Sequence, residues 1–349
     1  MSGLPGVSWC ASLRREAKRA VHAVKFGRAR RLLRRSGLIP AATQRRNRFP
    51  GSNAPMTLAD NAIAPDGAEV AEYWTRVNVT SHYKFGSVED SLAYFRWRND
   101  NYFGYVELMP VEGQDGKVIL DFGCGPGHDL VGFGALSKPA RLVGMDVSPT
   151  SLSEAQARLA LHSVPCELIR LDPRRTELPL PSGSMDYVHS SGVLHHLTDT
   201  LATLYELRRV LHANGIARFM VYNRDSVFVH LYVAYQRCIL DGAFPGLSID
   251  EAFTRSTDGP GCPISRSYRP AEFVALCEEA GFEARFAGAA VSMLEAKLMP
   301  TRFDAIVDRR LPEESRRFLL ELSLDAHGMP WYRGHRAGID ACFVLSPRG

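Results

Sequence analysis

Residues 117–127 read KVILDFGCGPG, and that stretch decides how the rest of the 349-residue chain is parsed. An aliphatic run, Val118, Ile119 and Leu120, ends on an acid, Asp121, and passes into glycines at alternate positions, Gly123, Gly125 and Gly127. Residues 128–136 have helical composition, so the order is strand, glycine turn, helix. Without Cβ atoms, such a turn lets a ligand lie against the backbone and meet exposed N–H groups. A dinucleotide fingerprint would place glycine or alanine where His128 stands, and a phosphate loop would need Gly-Lys-Ser or Gly-Lys-Thr, which does not follow. Asp121 points to different chemistry: a carboxylate there repels a diphosphate and attracts an ammonium or sulfonium group.

Working outward, further strands are expected at 141–146, 166–172, 185–190, 216–222, 282–291 and 338–345. Helices are expected at 148–161, 199–211 (stopped by Asn214-Gly215), 226–240, 270–280 and through 292–325. Strands alternating with helices imply an α/β, doubly wound, mostly parallel sheet buried on both faces. The aromatic-rich residues 66–112 would form an N-terminal helical cap, 113–222 the ligand-binding core, 223–269 an insertion after the fifth strand, and 270–349 the remaining core strands. Residues 40–65, rich in Pro, Asn, Gly, Ala and Ser, read as a linker.

Composition bounds the alternatives. With 45% hydrophobic and 23% charged residues the chain suits a globular protein, and no apolar run reaches the ~18 residues of a membrane span. Seven cysteines without a CxxC pair suggest neither a disulfide framework nor a zinc ribbon, so a reducing cytoplasmic setting is expected. The formal charge of +4 hides a division: residues 1–50 carry thirteen Lys/Arg and one acid, Glu16, whereas the remainder carries 29 basic and 37 acidic residues. Between 9 and 35 apolar residues recur at helical spacing among arginines. That segment has several readings: a membrane-surface helix giving peripheral membrane contact, a transit peptide, a nucleic-acid arm, or a solvated extension preceding a second start at Met56.

The pattern VILDFGCGPG, with VGMDVS about twenty residues on, closely resembles the first two motifs of class I S-adenosylmethionine-dependent methyltransferases. LDPRRTELPLPSGSMDYVHSSGVLHHLTD and LYELRRVLHANGIARFMVYN resemble their later motifs, especially in the broad subgroup of ubiquinone and menaquinone C-methyltransferases and small-molecule O-methyltransferases. The resemblance spans roughly residues 115–222 and implies a seven-stranded Rossmann-like sheet with S-adenosyl-L-methionine as cofactor. It further implies that Asp121, Gly123, Cys124, Gly125 and Gly127 hold the methionine part, that Asp146 with Val147 meets the ribose, and that Asp172 and Pro173 meet the adenine. Ser190, Ser191 and Gly192 would line the face shared with the acceptor. After Asp172 this chain has Pro-Arg-Arg where the family commonly has an apolar or small residue and another acid.

A sulfonium already makes its methyl group electrophilic, so holding the acceptor atom in line in a dry site is the main requirement and transfer is expected without a metal. If the acceptor is a hydroxyl, its proton must leave, and His195 and His196 after the fourth strand are the candidate bases. Tyr83 of the cap, Arg266 and Tyr268 of the insertion, and Arg333 and His335 of the C-terminal loop are candidate acceptor contacts, since guanidinium forks beside aromatics suit carboxylate, phosphate or sugar groups. The acceptor expected is a small molecule or a glycan- or lipid-linked group, methylated at oxygen. The competing readings are an RNA or DNA methyltransferase using the basic arm, disfavoured by the acidic body, and a non-catalytic binding module. The apolar helix at 226–240 would serve a pocket or a homodimer equally well.

Overall fold

The computed structural model describes residues 66–259 and 261–349; the basic arm, its 9–35 stretch and the linker to residue 65 lie outside them. Among the described residues the strands are, in chain order, β1 Tyr102–Phe103, β2 Val118–Phe122, β3 Arg141–Asp146, β4 Glu167–Arg170, β5 Met185–Ser191, β6 Leu211–Tyr222, β7 Phe282–Ser292, β8 Ser323–Leu324, β9 Pro330–Tyr332, β10 His335–Arg336 and β11 Asp340–Pro347. Their aliphatic runs are buried on both faces because helices cover the sheet on each side, as a parallel sheet requires.

Eight strands form one sheet in the order β1-β7-β11-β6-β5-β2-β3-β4. β4, β3, β2, β5 and β6 run parallel, while β11 lies antiparallel between β6 and β7. All seven expected strands recur; the two-residue β1, paired with the end of β7, is the addition. The order reverses between β2 and β5, so a crevice opens beyond their carboxyl ends.

Several local expectations need correction. β4 is shorter than 166–172, and Asn214-Gly215 is not a helix stop: the helix Thr200–Val210 ends earlier, and the two residues sit in a register shift between Met185↔Leu211 and Tyr187↔Ile216. The helices expected through 292–325 are Met293–Leu298, Arg302–Val307 and Glu313–Glu321, with Pro300 and Pro312, which lack an N–H, between them; the stretch ends in β8 rather than in helix. A small antiparallel sheet, β10-β9-β8, follows. In the insertion, the π-wound helix Phe228–Leu240 buries its apolar side against Ala305, Phe318, Leu319 and Phe253, so that face is filled by the chain itself. Among the described residues no helix is long and apolar enough to cross a membrane.

The cap consists of helices Gly67–Arg76, Val88–Asp100 and Tyr105–Leu108. Two polar anchors dock it on the helix Pro149–Leu161. Arg158, buried, donates to the Ser91 hydroxyl at 2.8 Å and the Ser91 carbonyl at 3.0 Å, and lies over the Phe85 ring. Glu154 accepts from Asn78 at 2.7 Å and pairs with His82 at 2.7 Å.

Candidate functional site

The glycine turn is held open by its own hydrogen bonds. Asp146, at the end of β3, accepts from the Gly125 N–H and the Ser148 N–H, both at 2.8 Å, which fixes the loop between β2 and the helix His128–Leu136. Gly123 has φ 76°, and a Cβ there would lie 2.2 Å from Val193 Cγ2; this glycine is required by packing. Gly125 also has positive φ, yet a Cβ there would meet nothing within 4 Å. The space above Gly125 is therefore room for a ligand.

That room belongs to a cavity of about 630 Å³ running along the carboxyl ends of the strands. Asp121 lines it, only 2% exposed, and its carboxylate has no hydrogen-bond donor among the described residues. Burial pushes Asp121 up to about 7, with His189 opposing and Asp129 and Asp146 adding to the rise. Burial also raises Asp146, against the pull of its backbone donors. Cys124 and Val147 line the same end, and burial pushes the Cys124 thiol well up. Beyond them come Leu171, Pro173 and Gly67 of the cap, where a Cβ would strike the Pro173 carbonyl.

The third carboxylate does not join the first two. Asp172 turns outward, accepts from the Arg174 N–H at 3.0 Å and faces Arg175 at 4.0 Å, because its side chain closes the turn after β4. Only its neighbours Leu171 and Pro173 reach the cavity. Gly127 caps the following helix and packs on Ala155 instead. Ser190 is buried below the floor, donating to the Phe122 carbonyl, whereas Ser191 and Gly192 line the cavity and Ser191 Oγ meets Tyr105 Oη at 2.5 Å.

At the other end the two histidines separate. His196 lines the cavity against Trp74, ring centroids 4.8 Å apart. Its Nδ1–H donates to the Ile264 carbonyl at 2.5 Å, which leaves Nε2 as the basic nitrogen, 3.7 Å from Asp258. Burial lowers the His196 pKa, Asp258 opposing. His195 is fully buried outside the cavity: its Nδ1 accepts from the Tyr222 N–H, its ring stacks on Tyr222, and burial holds it well below the usual histidine range. Asp258 is fixed by Tyr222 Oη at 2.8 Å and Ser265 Oγ at 3.1 Å. His196, Asp258 and Cys262 bring ligand-type atoms within 4.8 Å of one another, but Cys262 Sγ, like His196 Nδ1, is engaged by the Ile264 carbonyl.

None of the five expected acceptor contacts lies at this cavity. Tyr83 bonds Asp90 and packs on Phe85 within the cap. Arg266 clamps the insertion loop to the Leu197 carbonyl, and Tyr268 packs on Phe273 with its hydroxyl near Thr200. Arg333 lies over Tyr332 and faces Glu321, at a separate cavity of about 290 Å³; His335 packs on Phe286. Arg98, Tyr102, Asp258 and Asp340 line the larger cavity. Arg98 looks in sequence like one more charge on a polar helix, and Asp258 sits in a Gly/Pro loop; Asp340, an acid opening an otherwise apolar strand, was the one discernible signal.

A crevice at the switch point of a mostly parallel sheet, with Asp121 buried near the end of β2, Asp146 half-buried at the end of β3 and a glycine turn between them, suits a nucleoside-type ligand carrying positive charge. Residues 119–215 match the family described as "Methyltransferase domain". Over those residues the chain carries a methyltransferase domain. The match identifies the class and does not single out the quinone C-methyltransferase subgroup. The chain is 31% identical over 131 residues to malonyl-[acyl-carrier protein] O-methyltransferase of Legionella pneumophila, covering 38% of this chain and 43% of that one. It is 39% identical over 104 residues to tRNA U34 carboxymethyltransferase of Shewanella denitrificans, covering 28% and 29%. The chain thus spans less than half the length of these curated relatives. Geranyl diphosphate C-methyltransferase from Streptomyces coelicolor, solved with S-adenosyl-L-homocysteine, superposes with TM-score 0.46 at 13% identity, over 82% of this chain and all of that one.

Proposed function

We propose that the protein transfers a methyl group from S-adenosylmethionine to an oxygen of a small-molecule, glycan- or lipid-linked acceptor, without a metal. The observation that carries the reading is Asp121: a buried carboxylate without a donor, beside open space over Gly125, needs a cationic ligand. When bound, S-adenosylmethionine supplies the electrophilic methyl group. Asp121 would face its positive charge, Asp146 would accept from the ribose hydroxyls beside Val147, and Leu171 and Pro173 would enclose the adenine. The Arg98 guanidinium has no hydrogen bond or ion pair among the described residues, only the Tyr105 ring at 5.6 Å, and would take the methionine carboxylate.

On the acceptor side, Nε2 of His196 would receive the hydroxyl proton, and Asp258 would stabilise the imidazolium so formed. Val79, Trp97 and Leu294 line the cavity yet stay 58%, 51% and 40% exposed, an apolar rim that suits an acceptor with a greasy portion. Incubation with methyl-labelled cofactor and cell extract should label a low-molecular-weight or lipid product; labelling of RNA alone would favour the second reading, a nucleic-acid acceptor, for which the similarity to a tRNA-modifying enzyme speaks. His196→Asn should lower kcat by about 10²- to 10⁴-fold while leaving S-adenosylhomocysteine affinity unchanged. Because burial lowers the His196 pKa, the activity of the unaltered protein should fall only on acidification to below the ordinary histidine range, as Nε2 becomes protonated. An active His196→Asn enzyme would remove the base from the scheme.

A further inference from the structure

The cavity holds a second buried carboxylate that the methyl donor does not account for. Asp340, at the start of β11, is 3% exposed and lines the cavity, and no hydrogen bond or ion pair engages its side chain among the described residues. It is the cross-strand partner of Tyr222, so the two side chains leave the sheet on one face, beside Tyr102 of β1. In the cofactor assignment above, on which the inference rests, Asp121 faces the donor's positive charge and Arg98 its carboxylate. That leaves Asp340 as an acid the donor does not match, lining the cavity together with Tyr102 and Tyr222.

We propose that the acceptor carries a protonated amine, separate from the hydroxyl deprotonated by His196, and that Asp340 anchors this ammonium between Tyr102 and Tyr222. A buried carboxylate is stabilised by a cation it can hydrogen-bond, and aromatic faces add attraction for the same charge. Burial raises Asp340 to about 8, with Arg98 opposing and Glu295 and Asp258 adding to the rise, so an arriving cation is what favours its charged form. The acceptor class is therefore an amino alcohol or amino sugar, the polar end lodged over β6 and β11 and any apolar portion leaving by the Trp97 rim.

The test is calorimetry on the full chain saturated with S-adenosylhomocysteine, using tyramine, 4-ethylphenol, which lacks the amine, and 4-hydroxyphenylpropionate, which reverses the charge. Tyramine should bind about tenfold or more tighter than 4-ethylphenol, and the carboxylate analogue weakest. Asp340→Asn should abolish that preference, and Asp340→Glu should retain part of it, with S-adenosylhomocysteine affinity changed less than twofold in both. Equal binding of tyramine and 4-ethylphenol, tighter binding of the carboxylate, no binding of any of the three, or a preference that survives Asp340→Asn would overturn the proposal; the comparison on the unaltered protein decides it even if a variant fails to fold. Failure of the unaltered protein to bind S-adenosylhomocysteine would instead count against the methyltransferase reading.

Discussion

Asp121→Asn should make the ligand-free protein more stable and the cofactor complex weaker, an opposition that a purely structural aspartate would not produce. Moving a carboxyl from its ordinary value to about 7 means that the charged form is disfavoured by roughly 4 kcal/mol in the empty cavity. The asparagine amide removes that charge but leaves a polar group without a partner, costing about 1–3 kcal/mol, so a net gain of about 1–3 kcal/mol remains. Because the folded pKa lies above the unfolded one, the penalty on Asp121 is absent below pH ~4, grows between pH ~4 and about 7, and is complete above that. The balance should follow the same course, appearing as a rise of about 2–10 °C in Tm at pH 8 that shrinks on acidification and turns into a fall at pH 4, where only the cost of the unpartnered amide remains. Losing a charge-assisted contact worth about 1.5–3 kcal/mol should weaken S-adenosylmethionine binding by about 10- to 150-fold. Thermal scans across that pH range, with and without cofactor, read both effects. A variant that is destabilised at pH 8, or that binds the cofactor as tightly as the parent, would refute the assignment of Asp121 as an unpaired charge awaiting a cation.

The two central glycines should separate stability from binding. Gly123→Ala places a methyl group against Val193 and should lower Tm clearly, whereas Gly125→Ala, strained only by its positive φ at about 1–2 kcal/mol, should weaken cofactor binding by more than its stability loss accounts for, as paired thermal and calorimetric measurements would show. The cap should loosen with rising pH: the Arg76 carbonyl and then Glu154 raise the His82 pKa, so the stabilisation is full below pH ~6.5 and lost as pH climbs through the higher folded value. Hydrogen exchange over residues 67–82 should therefore speed up from pH 6 to 8 beyond the intrinsic rate increase, and Glu154→Gln should remove that extra dependence; an unchanged profile would place the cap's anchorage elsewhere.

The parallel core was legible because periodicity and turn chemistry are local. The β-branched runs, the alternating glycines and the acids ending β2 and β3 stand in the sequence as they stand in the sheet, and so do Gly125 and Asp146, which the structure joins by one hydrogen bond. The third acid shows the limit. Asp172 occupies an equivalent place after β4, yet its carboxylate finds a nearer partner in the Arg174 N–H, a competition that spacing does not reveal. The basic loops were a larger miss: Arg266 and Tyr268 are consumed in holding the insertion to the core, and Arg333 and His335 belong to the β9–β10 hairpin.

By itself the sequence determined the seven main strands, most of the helices between them and the glycine turn, since each depends on residues close together in the chain. Tertiary structure alone decided which distant side chains share the cavity. Arg98, His196, Asp258 and Asp340 come from a cap helix, the turn after β5, an insertion loop and an antiparallel strand. Burial and the presence or absence of partners, which give those groups their charge states, exist only after these distant segments have packed around one cavity.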